Sequence, residues 1–261
     1  MRKEFVRTKN ALNFLSKFKK LEQRGAGEAC LLLVQGEPGL GKTETVQWWA
    51  VQSNAVFLRA KSNYKPGWFL RELLGELGVK EADLPGTYER LFTLALSRLT
   101  ARAADNARIG KPFAVVIDEV EHITGQRKLM ETVRDLSDML ELPFVLVSMG
   151  AAARDLKRLT QTLSRIGQRA DFSRLDEADA ATLVAGLCEV AVAPEMVAFL
   201  HRAAAGYSRE MVDGIAAIER VGKLNPGIPV ALEHMAGKEL FTDRKSGDPV
   251  KVPAGALARA A

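Results

Sequence analysis

No run of 18 uncharged apolar residues occurs in the 261-residue chain, which excludes a membrane-spanning helix. The opening Met1-Arg2-Lys3-Glu4-Phe5-Val6-Arg7 has no apolar stretch of the secretory kind. Cysteine is scarce. Cys30 falls in an expected core strand and Cys188 on an apolar helix face, far apart in the chain. The reading is two buried free thiols in a reducing cytoplasm, not a disulfide framework. The three histidines, His122, His201 and His234, are scattered, so no Cys/His cluster has zinc spacing. Repeats and low-complexity linkers are also missing, which fits one compact domain or a core with a smaller lid.

Apolar residues make up 47% of the chain, enough for a sizeable core. The net charge of +5 is unevenly spread. In residues 1–24, Arg2, Lys3, Arg7, Lys9, Lys17, Lys19, Lys20 and Arg24 face only Glu4 and Glu22, about +6 in all. Such a segment suits a polyanion partner or, equally, a solvated basic helix. Leu12, Leu15, Phe18 and Leu21, with Phe14 beside them, predict an amphipathic helix over 11–23. Gly25-Ala26-Gly27 breaks it.

The stretch Gly36-Glu37-Pro38-Gly39-Leu40-Gly41-Lys42-Thr43 reads G-x-x-x-x-G-K-T, the phosphate-binding loop. The short, largely apolar stretch Cys30 to Gln35 before it reads as a buried strand, and Glu44 to Gln52 after it as a helix. Glycines let the backbone wrap a phosphate so that successive N–H groups point inward, and the helix start adds its positive dipole end. Lys42 is expected to reach the β- and γ-phosphates of ATP, Thr43 to ligate Mg²⁺, and Thr45 to belong to the same nucleotide-binding set.

A second strand is expected over 55–60, followed by the polar loop 61–67 and a helix from Trp68 to Leu77. Thr87 is placed to cap a long helix. Phe113-Ala114-Val115-Val116-Ile117 then ends in Asp118-Glu119, the Walker B pattern of a buried parallel strand with acids at its carboxyl end. Asp118 is expected to hold the Mg²⁺ water shell and Glu119 to polarise the attacking water. A helix through Leu140 and a buried strand over Phe144–Ser148 follow. Ser148, at that strand's carboxyl end, either senses the γ-phosphate or simply ends the strand. Arg154, Lys157, Arg158, Arg165 and Arg169 precede a short last strand, Ala170-Asp171-Phe172. From Asp176 four helices are expected, opened by Asp176 or Asp179, Pro194, Ser208 and Pro229. The tail from Asp243 reads as loosely ordered.

The order of these parts resembles AAA+ ATPases over roughly residues 28–240. Within that class, Asp118-Glu119-Val120-Glu121-His122, Leu163-Ser164-Arg165-Ile166-Gly167-Gln168-Arg169 and Gly206-Tyr207-Ser208-Arg209 resemble segments of the phage MuB and transposon target-selector type. The resemblance implies an α/β P-loop NTPase (AAA+) fold, a parallel-sheet core with a C-terminal helical lid. The implied division is a basic N-terminal segment 1–27, a nucleotide-binding core 28–175, a lid 176–242 and a flexible tail 243–261. It implies ATP and Mg²⁺ as cofactors, ATP hydrolysis, and assembly of a homo-oligomeric filament or ring on double-stranded DNA that is presented to a transposase. It also implies a bacterial or phage-encoded cytoplasmic protein. Arg165 or Arg169 would complete a neighbouring subunit's site, and Arg209 would touch the γ-phosphate from the lid. The ATPase strand begins near residue 29, leaving no room before it for the separate DNA-binding domain of phage MuB. DNA contacts would come from Lys61, Asn63, Tyr64 and Lys65 after the second strand, or from Arg127 and Lys128 after Walker B, unless these are solvated loop residues. A secretion or signalling switch of the same class with a protein partner, and a helicase loader, share the layout.

Overall fold

The computed structural model describes residues 1–25, 29–149, 165–244 and 246–255. Gly27, Arg154, Lys157, Arg158, Leu163 and Ser164 lie outside the described residues. Contacts divide the chain into two units. A core unit holds Asn13–Pro38 and Lys42–Phe172, and a second unit holds Met1–Leu12, Gly39–Gly41 and Ser173–Ala261.

Short, uninterrupted apolar runs build the core unit, because strands covered on both faces need no polar alternation. β1 (Leu31–Gly36), β2 (Val56–Arg59), β3 (Val115–Asp118), β4 (Phe144–Met149) and β5 (Ile166–Asp171) form one sheet in the order β2-β3-β4-β1-β5, every pair parallel. Leu31–Val34, all of β3 and Phe144–Ser148 are buried. Parallel neighbours need long crossovers, supplied here by helices. α2 (Lys42–Gln52) follows β1, α3 (Pro66–Glu76) and α4 (Tyr88–Arg108) link β2 to β3, and α5 (Arg127–Leu140) links β3 to β4. Thr87 caps α4, accepting from the Arg90 N–H.

This order sets the carboxyl ends of β3, β4 and β1 side by side, each carrying a motif residue. Gln35 pairs in register with Ser148, and Arg59 with Asp118.

Three expectations change within this unit. Helix α1 (Lys9–Glu22) buries Ala11, Phe14, Phe18 and Leu21, while Leu12 is exposed. A strict spacing of three drifts around a 3.6-residue helix, whereas the 3-4-3 set stays on one face. Phe14 and Phe18 pack on Trp49 of α2, with ring centroids 5.7 and 4.2 Å away. The last strand is longer than its apolar end, Ala170–Phe172, suggested, so Arg169 lies inside β5 and not before it. β5 is an edge strand, and its alternation of half-buried and exposed residues hides it from an apolar-run reading. Finally, the helix after β2 begins at Pro66, at the position where proline's fixed φ is favourable.

The second unit packs α6 (Glu177–Leu187), α7 (Pro194–Ala203), α8 (Ser208–Gly222) and the single turn α9 (Leu232–Met235) around Leu183, Met196, Leu200, Met211, Ile215 and Ile218. Asp176 caps α6 by accepting from the Asp179 N–H. Gly214 of α8 is a close approach, since a Cβ there would lie 2.3 Å from Leu200 Cδ1. Ser208 is the first residue of α8 and not its cap. Pro229 starts no helix, because Val230 is drawn into a parallel bridge with Val192. The tail expected to be loose from residue 243 instead returns as β7 (Pro249–Lys251), antiparallel to β6 (Glu239–Thr242), with Leu240, Phe241 and Val252 buried. Apolar residues too few for a helical period are enough to anchor a two-stranded hairpin against a helix.

The basic N-terminal residues are partly consumed inside this unit. Arg2 donates to the Ala185 carbonyl, and Lys9 pairs with Asp176.

Candidate active site

The loop leaving β1 turns through Gly39 at φ +83° and Gly41 at φ +80°, a region open to glycine and strained for L side chains. Helix α2 starts at Lys42, so its free N–H groups close the loop. Lys42 is only 7% exposed, and its Nζ donates to the carbonyls of Gly36 at 2.8 Å and Glu37 at 2.7 Å. Those carbonyls orient the ammonium within the loop, where a bound phosphate would be opposite to it in charge. Thr45 is buried and Thr43 half-buried in the first turn. In the second unit, the Arg209 N–H donates to the Gly39 carbonyl at 3.1 Å, a Cβ on Gly41 would meet Ser208 Oγ at 3.4 Å, and the Arg209 side chain is exposed.

Asp118 is 2% exposed at the end of β3. Its Oδ1 accepts from the Glu119 N–H at 2.9 Å, while its buried Oδ2 has no hydrogen-bond partner among the described residues. An unsatisfied buried carboxylate oxygen is costly, and a bound divalent cation would satisfy it. Among the described residues no three His, Cys, Asp or Glu side chains cluster as a self-sufficient metal site. One carboxylate and one hydroxyl, Asp118 and Thr43, suit Mg²⁺, which keeps waters and takes further oxygens from substrate phosphates.

Glu119 sits at φ 54°, a left-handed conformation that costs a non-glycine residue roughly 1–2 kcal/mol. Its carboxylate lies 3.8 Å from Arg59 Nε and 3.7 Å from His122 Nε2. Arg59 Nη2 is also 4.0 Å from Asp118 Oδ2. Arg59 was not singled out by the sequence, because an arginine ending a strand carries no signal. Only the pairing of β2 with β3 brings it to the acids. Glu121 is a second addition, its Oε2 accepting from the Met149 N–H at 3.3 Å and so tying the turn after β3 to the end of β4.

Ser148 is 1% exposed and its hydroxyl donates to the Met149 carbonyl at 2.8 Å. Arg165 Nε lies 3.1 Å from Asp138 Oδ2 of α5, and Arg169 is exposed on the edge strand.

The two basic loops are brought together. Gln126 Nε2 donates to the Ser62 carbonyl at 3.1 Å, joining the segment after β2 to the start of α5. Asn63, Lys65 and Lys128 are exposed. Lys61 and Tyr64 both donate to Glu72, and Arg127 Nε bonds Glu131 Oε1 at 2.8 Å. Tyr64 is fully buried, and burial pushes its phenol well above the usual tyrosine range. A DNA contact by Tyr64 is therefore corrected: its hydroxyl is taken by Glu72 and its ring by the core.

Comparison with known proteins bears on the family and the fold. The AAA domain family matches residues 24–156, about half of the chain. No curated protein matches by sequence. Among solved structures, Cdc6p from Pyrobaculum aerophilum aligns with a TM-score of 0.65 at 16% identity, covering 94% of this chain and 72% of that one. The Aeropyrum pernix ORC1 protein, solved in complex with DNA, aligns at 0.58 and 14% identity, covering 86% and 62%. The Thermotoga maritima RuvB Holliday junction branch migration motor aligns at 0.51 and 17%, covering 84% and 64%. The chain thus spans about three fifths of the length of the ORC1 protein it matches. At these identities the likeness is one of fold, a parallel-sheet P-loop core.

Proposed function

Since the chain belongs to the AAA domain family, we propose that it is an ATP-dependent, DNA-binding AAA+ ATPase that assembles on double-stranded DNA and regulates transposition by recruiting or activating a transposase. The observation that carries the nucleotide chemistry is the buried Asp118 Oδ2, which no hydrogen bond satisfies among the described residues, on the strand two places from the phosphate loop's strand, with Glu119 beside it. Lys42 and the loop N–H groups bind the phosphates, Thr43 and Asp118 hold Mg²⁺, and Glu119 polarises the attacking water. Mg²⁺ supplies charge neutralisation at the transferred phosphoryl group.

DNA as the partner is supported by the joined loops, where Asn63, Lys65 and Lys128 are exposed together. Lysines there meet phosphates without base readout. The ORC1 protein above was solved in complex with DNA and RuvB is a Holliday junction branch migration motor, which favours the same partner here. Arg165 and Arg169 are the candidates to complete a neighbouring subunit's site, and Arg209 the candidate γ-phosphate contact. A γ-phosphate shared by two subunits makes assembly depend on nucleotide state. The transposition role rests on the resemblance of Asp118-Glu119-Val120-Glu121-His122 and the segments around Arg165 and Arg209 to target-selector ATPases.

The test is negative-stain imaging of the protein with duplex DNA, with and without a non-hydrolysable ATP analogue. Filaments or stacked rings that need both are the expected result. Particles that respond to nucleotide and ignore DNA would move the reading to a switch with a protein partner.

A further inference from the structure

Trp68 stands apart from the other tryptophans. Trp49 is 4% exposed in the core, whereas Trp68, the third residue of α3, is 41% exposed. Its indole is not a loose surface ring. Tyr64 meets it edge-on at 5.1 Å between centroids, and Lys61 Nζ lies 5.1 Å from its centre. Glu72 holds both Lys61 and Tyr64 by hydrogen bonds. The lysine is thereby committed to stiffening the ring, and a cation near an aromatic face attracts it. Exposed Asn63 and Lys65 lie in the same loop, and Gln126 ties that loop to Lys128's segment.

We propose that Trp68 is a stacking platform for an unpaired nucleobase, with Lys65 and Lys128 against the adjoining phosphates. This rests on the DNA-binding reading above and adds to it that the ligand presents a base free of its duplex stack. Every base has a π-face, so a rigid aromatic with flanking cations binds single strands with little sequence preference. A duplex shields its base faces, so Trp68 contributes to duplex binding only where a base is displaced. A platform of this kind selects melted or distorted DNA, a specificity that backbone contacts alone cannot give.

The experiment titrates full-length protein, with a non-hydrolysable ATP analogue, against a thymidine oligomer and a blunt duplex of the same length. Tryptophan fluorescence and anisotropy are read together for the wild type, Trp68→Ala, Trp68→Phe and Lys65→Ala. Nucleotide binding by each variant checks the fold. Wild-type fluorescence is expected to quench on adding the oligomer, and Trp68→Phe to show no such quench. Trp68→Ala should weaken oligomer binding about 5- to 150-fold, the range found when stacking aromatics are truncated, and Trp68→Phe less. Duplex affinity should stay within about twofold for both, while Lys65→Ala weakens both ligands alike. Oligomer binding unchanged in Trp68→Ala overturns the platform and leaves the DNA reading standing. Wild-type binding to duplex alone does the same. Binding to neither DNA overturns the DNA reading and the platform with it.

Discussion

Arg59 ends β2 with its guanidinium between the two Walker B acids, Nε 3.8 Å from Glu119 Oε1 and Nη2 4.0 Å from Asp118 Oδ2. The register brings the two backbones together, since Arg59 pairs directly with Asp118 across the β2–β3 ladder. Two residues further on, Lys61 opens the loop read here as touching DNA. The cation beside Glu119 and the loop proposed to touch DNA therefore share one strand end.

Removing that cation should release Glu119. Arg59→Ala is expected to raise ATP turnover without DNA by about 1.5- to 5-fold, the scale of a loose, half-exposed ion pair. It should also blunt the response to DNA. Steady-state phosphate release with and without duplex checks both, and slower turnover with an intact DNA response contradicts the restraining role.

Glu119→Gln keeps the shape and removes the base. Turnover should drop by about 10²- to 10⁴-fold, the usual contribution of a positioned acid–base group, while ATP binding persists. Assemblies should last longer, because the bound γ-phosphate is not cleared. Rapid turnover by this variant would falsify the role given to Glu119.

Arg165 is presently held by Asp138 of its own chain. If it serves a neighbouring subunit, Arg165→Ala and Lys42→Ala should each be inactive alone and partly active when mixed. One interface of the mixture then combines an intact phosphate loop with an intact arginine. Mixing that restores nothing, with assembly shown to occur, assigns Arg165 to its pair with Asp138.

Acid should unfold the second unit through Glu219. Burial opposes its charge, yet bonds from Lys223, the Met1 ammonium and the Glu189 N–H hold its carboxyl at about 2, below the usual 4.5. A lowered folded pKa gives stability that is full above about 4.5 and lost as pH falls toward 2. Thermal midpoints at pH 7, 5 and 3 should therefore fall more steeply below pH 5 for the wild type than for Glu219→Gln.

The legible parts were those written as local pattern. The phosphate loop, the acids ending β3 and the apolar runs of β1, β3 and β4 are contiguous, so their placement follows from neighbours in sequence. What escaped depends on distant pairing. Arg59 gains meaning only beside Asp118, and the first residues of β5, 166–169, hide because an edge strand alternates polar residues. Tyr64 looked like a loop residue, but Glu72, eight positions on, draws it into the core. The hairpin of β6 and β7 has too few apolar residues to announce itself and is fixed by packing on α8. The backbone contact from the Arg209 N–H to the Gly39 carbonyl also joins residues far apart in the chain, and no local pattern announces it.

The most direct measurement of the central claim is the steady-state rate of ATP hydrolysis against duplex DNA concentration, with Lys42→Ala as the blank. A rate that changes saturably with DNA and vanishes in the blank is the predicted result. Hydrolysis that vanishes in the blank but is indifferent to DNA would contradict the account, leaving an ATPase whose partner is not DNA.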